Sequence, residues 1–208
     1  MDITTIQMGP TQTNTYLVAD VGHAIVIDPA GQPGPIVAHL LQEKLILTHI
    51  LLTHLHFDQL YGVRSLNAIT DAPVYACFRD NPLMETPFGK GGMWGMPEVE
   101  PFAFANLDEG DLHLLKTTCK VLYTPGHTRG SLSFYLPTAH ALFCGDTLFR
   151  GSIGRTDLPG ADQTVLRKVI ETRFFPMPGE TVVYPGHGKP TTIGHERLNN
   201  PLFADSKI

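Results

Sequence analysis

The heptapeptide Thr53-His54-Leu55-His56-Phe57-Asp58-Gln59 alternates three ligand-type side chains with two apolar ones. On an extended or turning backbone this sends His54, His56 and Asp58 to one side and Leu55 and Phe57 to the other. Two imidazoles and a carboxylate gathered in this way suggest a metal ion. Two further segments, Pro125-Gly126-His127-Thr128 and Pro185-Gly186-His187-Gly188, place a histidine directly after a Pro-Gly turn. Gly145-Asp146-Thr147 sets a carboxylate just after the apolar run 141–144. Glycine lets backbone approach closely and proline fixes it, which suits side chains that must be held within tenths of an ångström of an ion.

The order His54-x-His56-x-Asp58-Gln59, then His127, Asp146 and His187, resembles the metallo-β-lactamase superfamily, whose signature is H-x-H-x-D-H followed by a distant His, a bridging Asp and a last His. Within it the chain is most similar to glyoxalase II-like (hydroxyacylglutathione hydrolase-like) proteins. That resemblance rests on Asn14-x-Tyr16, Ile27-Asp28-Pro29, Gly145-Asp146-Thr147-Leu148-Phe149, Gly154-Arg155-Thr156-Asp157 and Pro185-Gly186-His187-Gly188 through Asn200-Pro201. It implies an αββα sandwich, two mixed sheets packed face to face with helices outside. It also implies one metal held by His54, His56 and His127, a second held by Asp58 and His187, and Asp146 bridging the two. Such a ligand set suits zinc, one or two ions per chain, with iron or manganese as alternatives. Six ordered coincidences would be needed to explain the set as chance, whereas His23, His39, His49, His113, His140 and His195 read as ordinary surface or core residues.

The chain departs from the signature at Gln59. An amide oxygen is a weaker donor than an imidazole nitrogen. Losing even an outer partner of a ligand typically costs about 10 to 100-fold in metal affinity, or roughly 1.4 to 2.7 kcal/mol. A full first site and a weakened second site are therefore expected, since three protein ligands plus water make the usual catalytic zinc arrangement.

With 208 residues, 42% hydrophobic and 17% charged, the chain can bury a sizeable core, and one catalytic domain over 1–208 is the simplest reading. A net charge of −5 without a Lys or Arg run argues against nucleic-acid or anionic-membrane partners. The Met1-Asp2-Ile3-Thr4 start has no basic stretch before an apolar core, and no apolar run approaches about 18 residues, so a cytoplasmic protein, monomer or homodimer, is expected. Cys77, Cys119 and Cys144 lack Cys-x-x-Cys spacing and read as reduced thiols, Cys144 as a small buried side chain rather than a site residue.

Strands are expected over 1–8, 15–20 and 23–28, the last two joined by Val21-Gly22, and a helix over 33–43 with Ile36, Val37, Leu40 and Leu41 at helical spacing. The apolar run 45–53 reads as a strand covered on both faces that delivers His54. Further strands are expected over 120–123, 132–136, 141–144 and 181–184, and a helix over 163–174. The stretch 81–106 fits neither: Pro82, Pro87, Pro97, Pro101 and Gly89-Lys90-Gly91-Gly92 exclude a long helix, yet Phe88, Met93, Trp94 and Phe102 are too apolar for a solvated linker. It must cover a sheet edge or an oligomer contact, or form a lid over substrate.

The chemistry that this resemblance implies is hydrolysis by attack of a metal-bound hydroxide, with Asp58 as the catalytic carboxylate that orients that water or accepts its proton. A small-molecule thioester such as S-lactoylglutathione suits the site, because a thiolate leaves without a strong acid to protonate it. The chain stops at Ile208, so the helical extension that reads glutathione in glyoxalase II is not expected, and Arg150, Arg155, Lys189 and Arg197 are candidates to hold a carboxylate. Arg155 and Asp157 could equally pair with each other. Two other readings stand beside this one: a mononuclear iron, persulfide dioxygenase-like oxidoreductase, and a metal-binding member with decayed activity.

Overall fold

The computed structural model describes residues 1–206. Strands β1 (Asp2–Met8), β2 (Thr13–Asp20) and β3 (His23–Ile27) form an antiparallel meander. Val21 and Gly22, both at positive φ (41° and 76°), make the expected two-residue hairpin turn. Helix α1 (Gly34–Gln42) returns the chain to β4 (Ile46–Leu51), parallel to β3. Helix α2 (Val63–Thr70) leads to β5 (Val74–Ala76), and a segment with the one-turn helix α3 (Pro87–Lys90) ends in β6 (Ala105–Asn106). The strand order is β1-β2-β3-β4-β5-β6.

The second sheet contains β7 (Gly110–Leu114), β8 (Thr117–Tyr123), β9 (Leu132–Leu136) and β10 (Ala141–Gly145), then, after a two-stranded ribbon β11 (Leu148–Phe149) and β12 (Ser152–Ile153) and helix α4 (Gln163–Val169), β13 (Val182–Pro185) and β14 (Thr191–Thr192). Its order is β14-β13-β10-β9-β8-β7, with only β10 and β13 parallel. The expected helix 163–174 is α4 plus a π turn over Ile170–Phe174, and Asp162 caps it by accepting from the Val165 amide at 3.0 Å. Helix α5 (Ile193–Asn199) follows β14.

Side-chain alternation decides the layers. Leu17 and Ala19 of β2 share a buried cluster with Ile36 and Leu40 of α1 and Val63 and Leu66 of α2. Their neighbours Tyr16 and Val18 join Phe134 and Phe143 of the second sheet instead. On that sheet's far face Leu142, Cys144 and Val183 pack with Leu166, Ile170 and Phe174. These three clusters are the three interfaces of four layers, helix, sheet, sheet, helix, which is the αββα order expected. Each fully buried Leu, Ile or Phe in them contributes roughly 1.5–3 kcal/mol. Strand β4 is covered on both faces only at its end, Ile50 and Leu51; Ile46 stays exposed. Among the described residues no helix is long and apolar enough to cross a membrane.

Candidate metal centre

Every candidate ligand sits just past the C-terminal end of a strand: His54, His56 and Asp58 after β4, His127 after β8, Asp146 after β10 and His187 after β13. The six side chains meet. The rings of His54, His56 and His127 lie 4.7–5.0 Å apart, centroid to centroid, at 81–90° to one another. One ligand atom from each lies within 4.8 Å of the other two. His187 Nε2 is 3.0 Å from Asp58 Oδ2. Asp146 Oδ2 stands between the two groups, 3.7 Å from both His127 Nε2 and His187 Nε2. Gln59 is wholly buried with Nε2 3.4 Å from Asp58 Oδ2 and from His187 Nε2.

Hydrogen bonds fix which nitrogen of two imidazoles carries the proton. The Thr53 hydroxyl donates to Asp28 Oδ2 at 2.7 Å, so it can only accept from His54 Nδ1 at 3.0 Å, which leaves His54 Nε2 as a bare lone pair. Likewise His127 Nδ1 must donate to the Arg155 carbonyl (2.9 Å), which makes His127 Nε2 the lone pair. That atom lies 2.9 Å from His56 Nδ1, a spacing at which two lone pairs need a shared proton or a cation between them. His54 Nε2, His56 Nε2, Gln59 Oε1 and Asp146 Oδ1 are buried without a hydrogen-bond partner among the described residues. Each such orphan costs about 1–3 kcal/mol unless something else satisfies it. A cation would satisfy the orphaned His54 Nε2 and relieve the facing pair His127 Nε2 and His56 Nδ1, beside Asp146 Oδ2.

Burial, together with the neighbouring imidazoles, holds His54 well below the usual histidine range, and burial lowers His56 to about 3. Both are neutral and ready to donate a lone pair. His187 goes the other way. Burial lowers it, but the hydrogen bond to Asp58 and the charges of Asp146 and Asp58 prevail and raise it to about 9. Burial would raise Asp58; the His187 hydrogen bond and charge outweigh that and hold it below the ordinary carboxylate range. Asp146 is raised, chiefly by burial.

Three supports went unassigned in the sequence. Buried Asp80 accepts from the Leu55 amide, the Thr128 hydroxyl and the Gly130 amide, which ties the His54–His56 loop to the His127 loop. Thr53 relays Asp28 to His54. Asn14 donates to the carbonyls of Pro185 and Gly188, and Tyr16 to Pro185, so β2 of the first sheet holds the His187 turn of the second. At Gly186 an added Cβ would collide with Asp146 Oδ1, so this position has no room for a side chain.

The centre opens into a cleft of about 530 Å³. Phe88 and Trp94 line it, while Phe102 and Phe104 pack on the α1–α2 side of the first sheet, so the stretch 81–106 both covers the sheet and reaches the site. Of the four candidate cations only Arg155 lines the cleft, and it forms a bidentate pair with Asp157 (2.8 and 2.7 Å). Arg197 turns away to the Phe175 carbonyl. None of the six histidines set aside lines the cleft, nor does Cys144, whose buried thiol points at the Leu148 carbonyl.

The metallo-beta-lactamase superfamily model matches residues 8–187. The hydroxyacylglutathione hydrolase GloC of Haemophilus influenzae is 32% identical over 212 residues, covering 100% of each chain. The structure of the BLEG-1 B3 metallo-beta-lactamase superposes with a TM-score of 0.90 at 37% identity, over 98% of this chain and 100% of that one. That of TTHA1623 in a di-iron-bound form gives 0.86 at 40% identity, over 96% and 99%. A matched model that runs from β1 to the last proposed ligand, relatives alike along their whole length, and a sandwich that gathers imidazoles at its strand ends agree with one another: the chain belongs to the metallo-beta-lactamase superfamily.

Proposed function

We propose that this member of a metallo-hydrolase superfamily hydrolyses thioesters, with His54, His56 and His127 holding one ion, Asp58 and His187 a second, and Asp146 between them. The observation that carries the reading is the convergence of three buried imidazoles, two with hydrogen-bond-fixed lone pairs, beside the Asp58–His187 pair at the floor of an open cleft. A bound zinc, iron or manganese ion supplies Lewis acidity, lowering the pKa of water from 15.7 to about 7 and polarising a carbonyl. The protein does the rest. Asp58, held below the ordinary carboxylate range and so ionised, accepts the proton of the attacking water. Asp28, through Thr53, and the Arg155 carbonyl keep His54 and His127 aimed, so no reorganisation is needed as charge develops.

Beyond the proposed ligands, the cleft is lined by apolar side chains, hydroxyls and the paired Arg155, none an acid that titrates near neutrality. That supports a thioester, whose thiolate has a conjugate acid near pKa 8.5 and needs no donor. The full-length likeness to a hydroxyacylglutathione hydrolase supports the same class. Elemental analysis of the purified protein, followed by assays on S-lactoylglutathione and simple acyl thioesters before and after chelation, tests it. Turnover lost on chelation and restored by zinc, iron or manganese is expected; no turnover of any thioester at full loading overturns the reading. The buried amide of Gln59 beside Asp58 and His187 favours one second reading, a single-iron persulfide dioxygenase-like oxidoreductase, for which oxygen uptake with glutathione persulfide is the discriminating measurement.

A further inference from the structure

We infer that the cleft selects thioesters that carry an uncharged, apolar arm, and that Phe88 and Trp94 form the wall that receives it. This rests on the thioesterase reading of the site and extends it from reaction to substrate class. Six apolar side chains, Phe57, Phe88, Trp94, Phe149, Ile153 and Leu158, line the cleft around the proposed ligands. Apart from the proposed metal ligands, the one cation among the lining residues, Arg155, already spends both prongs of its guanidinium on Asp157. A charged peptide thiol such as glutathione would therefore bring carboxylates to a wall with no uncommitted positive side chain, and desolvating them there is unfavourable. An alkyl or aryl arm meets no such penalty.

Trp94 supplies an independent reason. The residue is 75% exposed, has no aromatic partner among the described residues, and sits on a backbone with φ +52°, a conformation that bulky residues rarely adopt. Gly91, Gly92 and Gly95 around it are also at positive φ (72°, 75° and 76°), and the Gly91–Glu98 bridge closes the loop at its base. The chain thus holds its largest apolar side chain in solvent at the rim of the cleft, although none of the three core clusters of the described residues includes it. Strained backbone of this kind clusters at ligand clamps. A substrate arm of several carbons is the group this indole and Phe88 would cover.

Trp94 is the single tryptophan of the chain, so its fluorescence reports the cleft directly, without turnover. The test uses the metal-loaded full chain and two probe series: straight-chain carboxylates from acetate to octanoate, product-like for an apolar acyl arm, and alkanethiols from ethanethiol to octanethiol, product-like for an apolar thiol arm. In one series the Trp94 emission should shift to the blue, with affinity rising about three- to fourfold per methylene. That series identifies which side of the thioester carries the arm. The dependence of kcat/KM on chain length should follow the same series, and Trp94→Ala and Phe88→Leu should flatten its slope. Affinity independent of chain length in both series, or Trp94 emission that responds to protein concentration and not to ligand, overturns the inference. Ligand-induced shifts without hydrolysis of any thioester would instead keep the apolar wall and sink the thioesterase reading, so the two failures are distinct.

Discussion

The two halves of the proposed metal centre are built on different electrostatics. His54, His56 and His127 are nearly sealed from solvent, and burial keeps His54 and His56 neutral. The rings of His54 and His127 are aimed by bonds made behind them, His54 through Thr53 to Asp28 and His127 to the Arg155 carbonyl. Across Asp146, His187 is 30% exposed and protonated, and it is closed onto Asp58 as an ion pair. The first half has already met the cost of presenting lone pairs; an ion entering the second must first displace a proton and break a salt bridge. Preorganisation would thus divide the proposed centre into a tight and a labile position, and it would do so before Gln59 is considered.

The largest test of this contrast removes one ligand from each half. His127→Ala should lower the affinity of the first position by more than about 100-fold and abolish hydrolysis, because it deletes an imidazole that its neighbours cannot replace. His187→Ala should leave that ion in place and empty only the second position. Metal content after dialysis against graded chelator separates the two; equal loss in both variants would show that the positions are not independent.

A smaller effect, of opposite sign, is expected from Gln59→His. Gln59 Oε1 is buried without a partner, and its Nε2 faces a carboxylate and an imidazole at 3.4 Å, a long contact that holds neither strongly. An imidazole there should raise the affinity of the second position about 10 to 100-fold, the range associated with one well-placed partner. An unchanged affinity, measured by competition with a chromophoric chelator, would mean that this side chain does not face the second ion.

The sequence exposed the proposed ligands because metal chemistry restricts residue types: few arrangements other than a metal site require His-x-His-x-Asp and two Pro-Gly-His turns. Strands β1 to β3, helix α1 and strand β9 were legible for a similar reason, their period and their Val21-Gly22 turn being local. What holds the ligands was not local. Asp80 lies in the polar run Arg79-Asp80-Asn81, which reads as a solvated loop; it is buried because Leu55, Thr128 and Gly130, 25 to 50 residues away, fold around it. Helix α2 gave little signal, since Val63 and Leu66 alone are buried and no side chain caps it. Among Arg150, Arg155, Lys189 and Arg197, nearness in sequence said nothing of position, and three of the four do not line the cleft.

The smallest effect is a proton count, and it bears most directly on the contrast. In the metal-free protein the folded pKa of His187, about 9, exceeds the ordinary 6.5, so its contribution to stability is complete below pH 6.5 and is lost as pH rises through about 9. Asp58 is depressed, so its share is present above about 3.8 and is lost as pH falls through its lowered value. The pair therefore stabilises the metal-free chain between acid and mildly alkaline pH, and an ion that takes His187 must expel its proton. At pH 6.5, where water on a bound ion is still largely un-ionised, filling the second position should release about one proton. His54 and His56, already neutral, should release none as the first position fills. Calorimetric titration in buffers of different ionisation enthalpy reads the two numbers separately, and equal proton release at both steps would erase the distinction between a prepared half and a paired one.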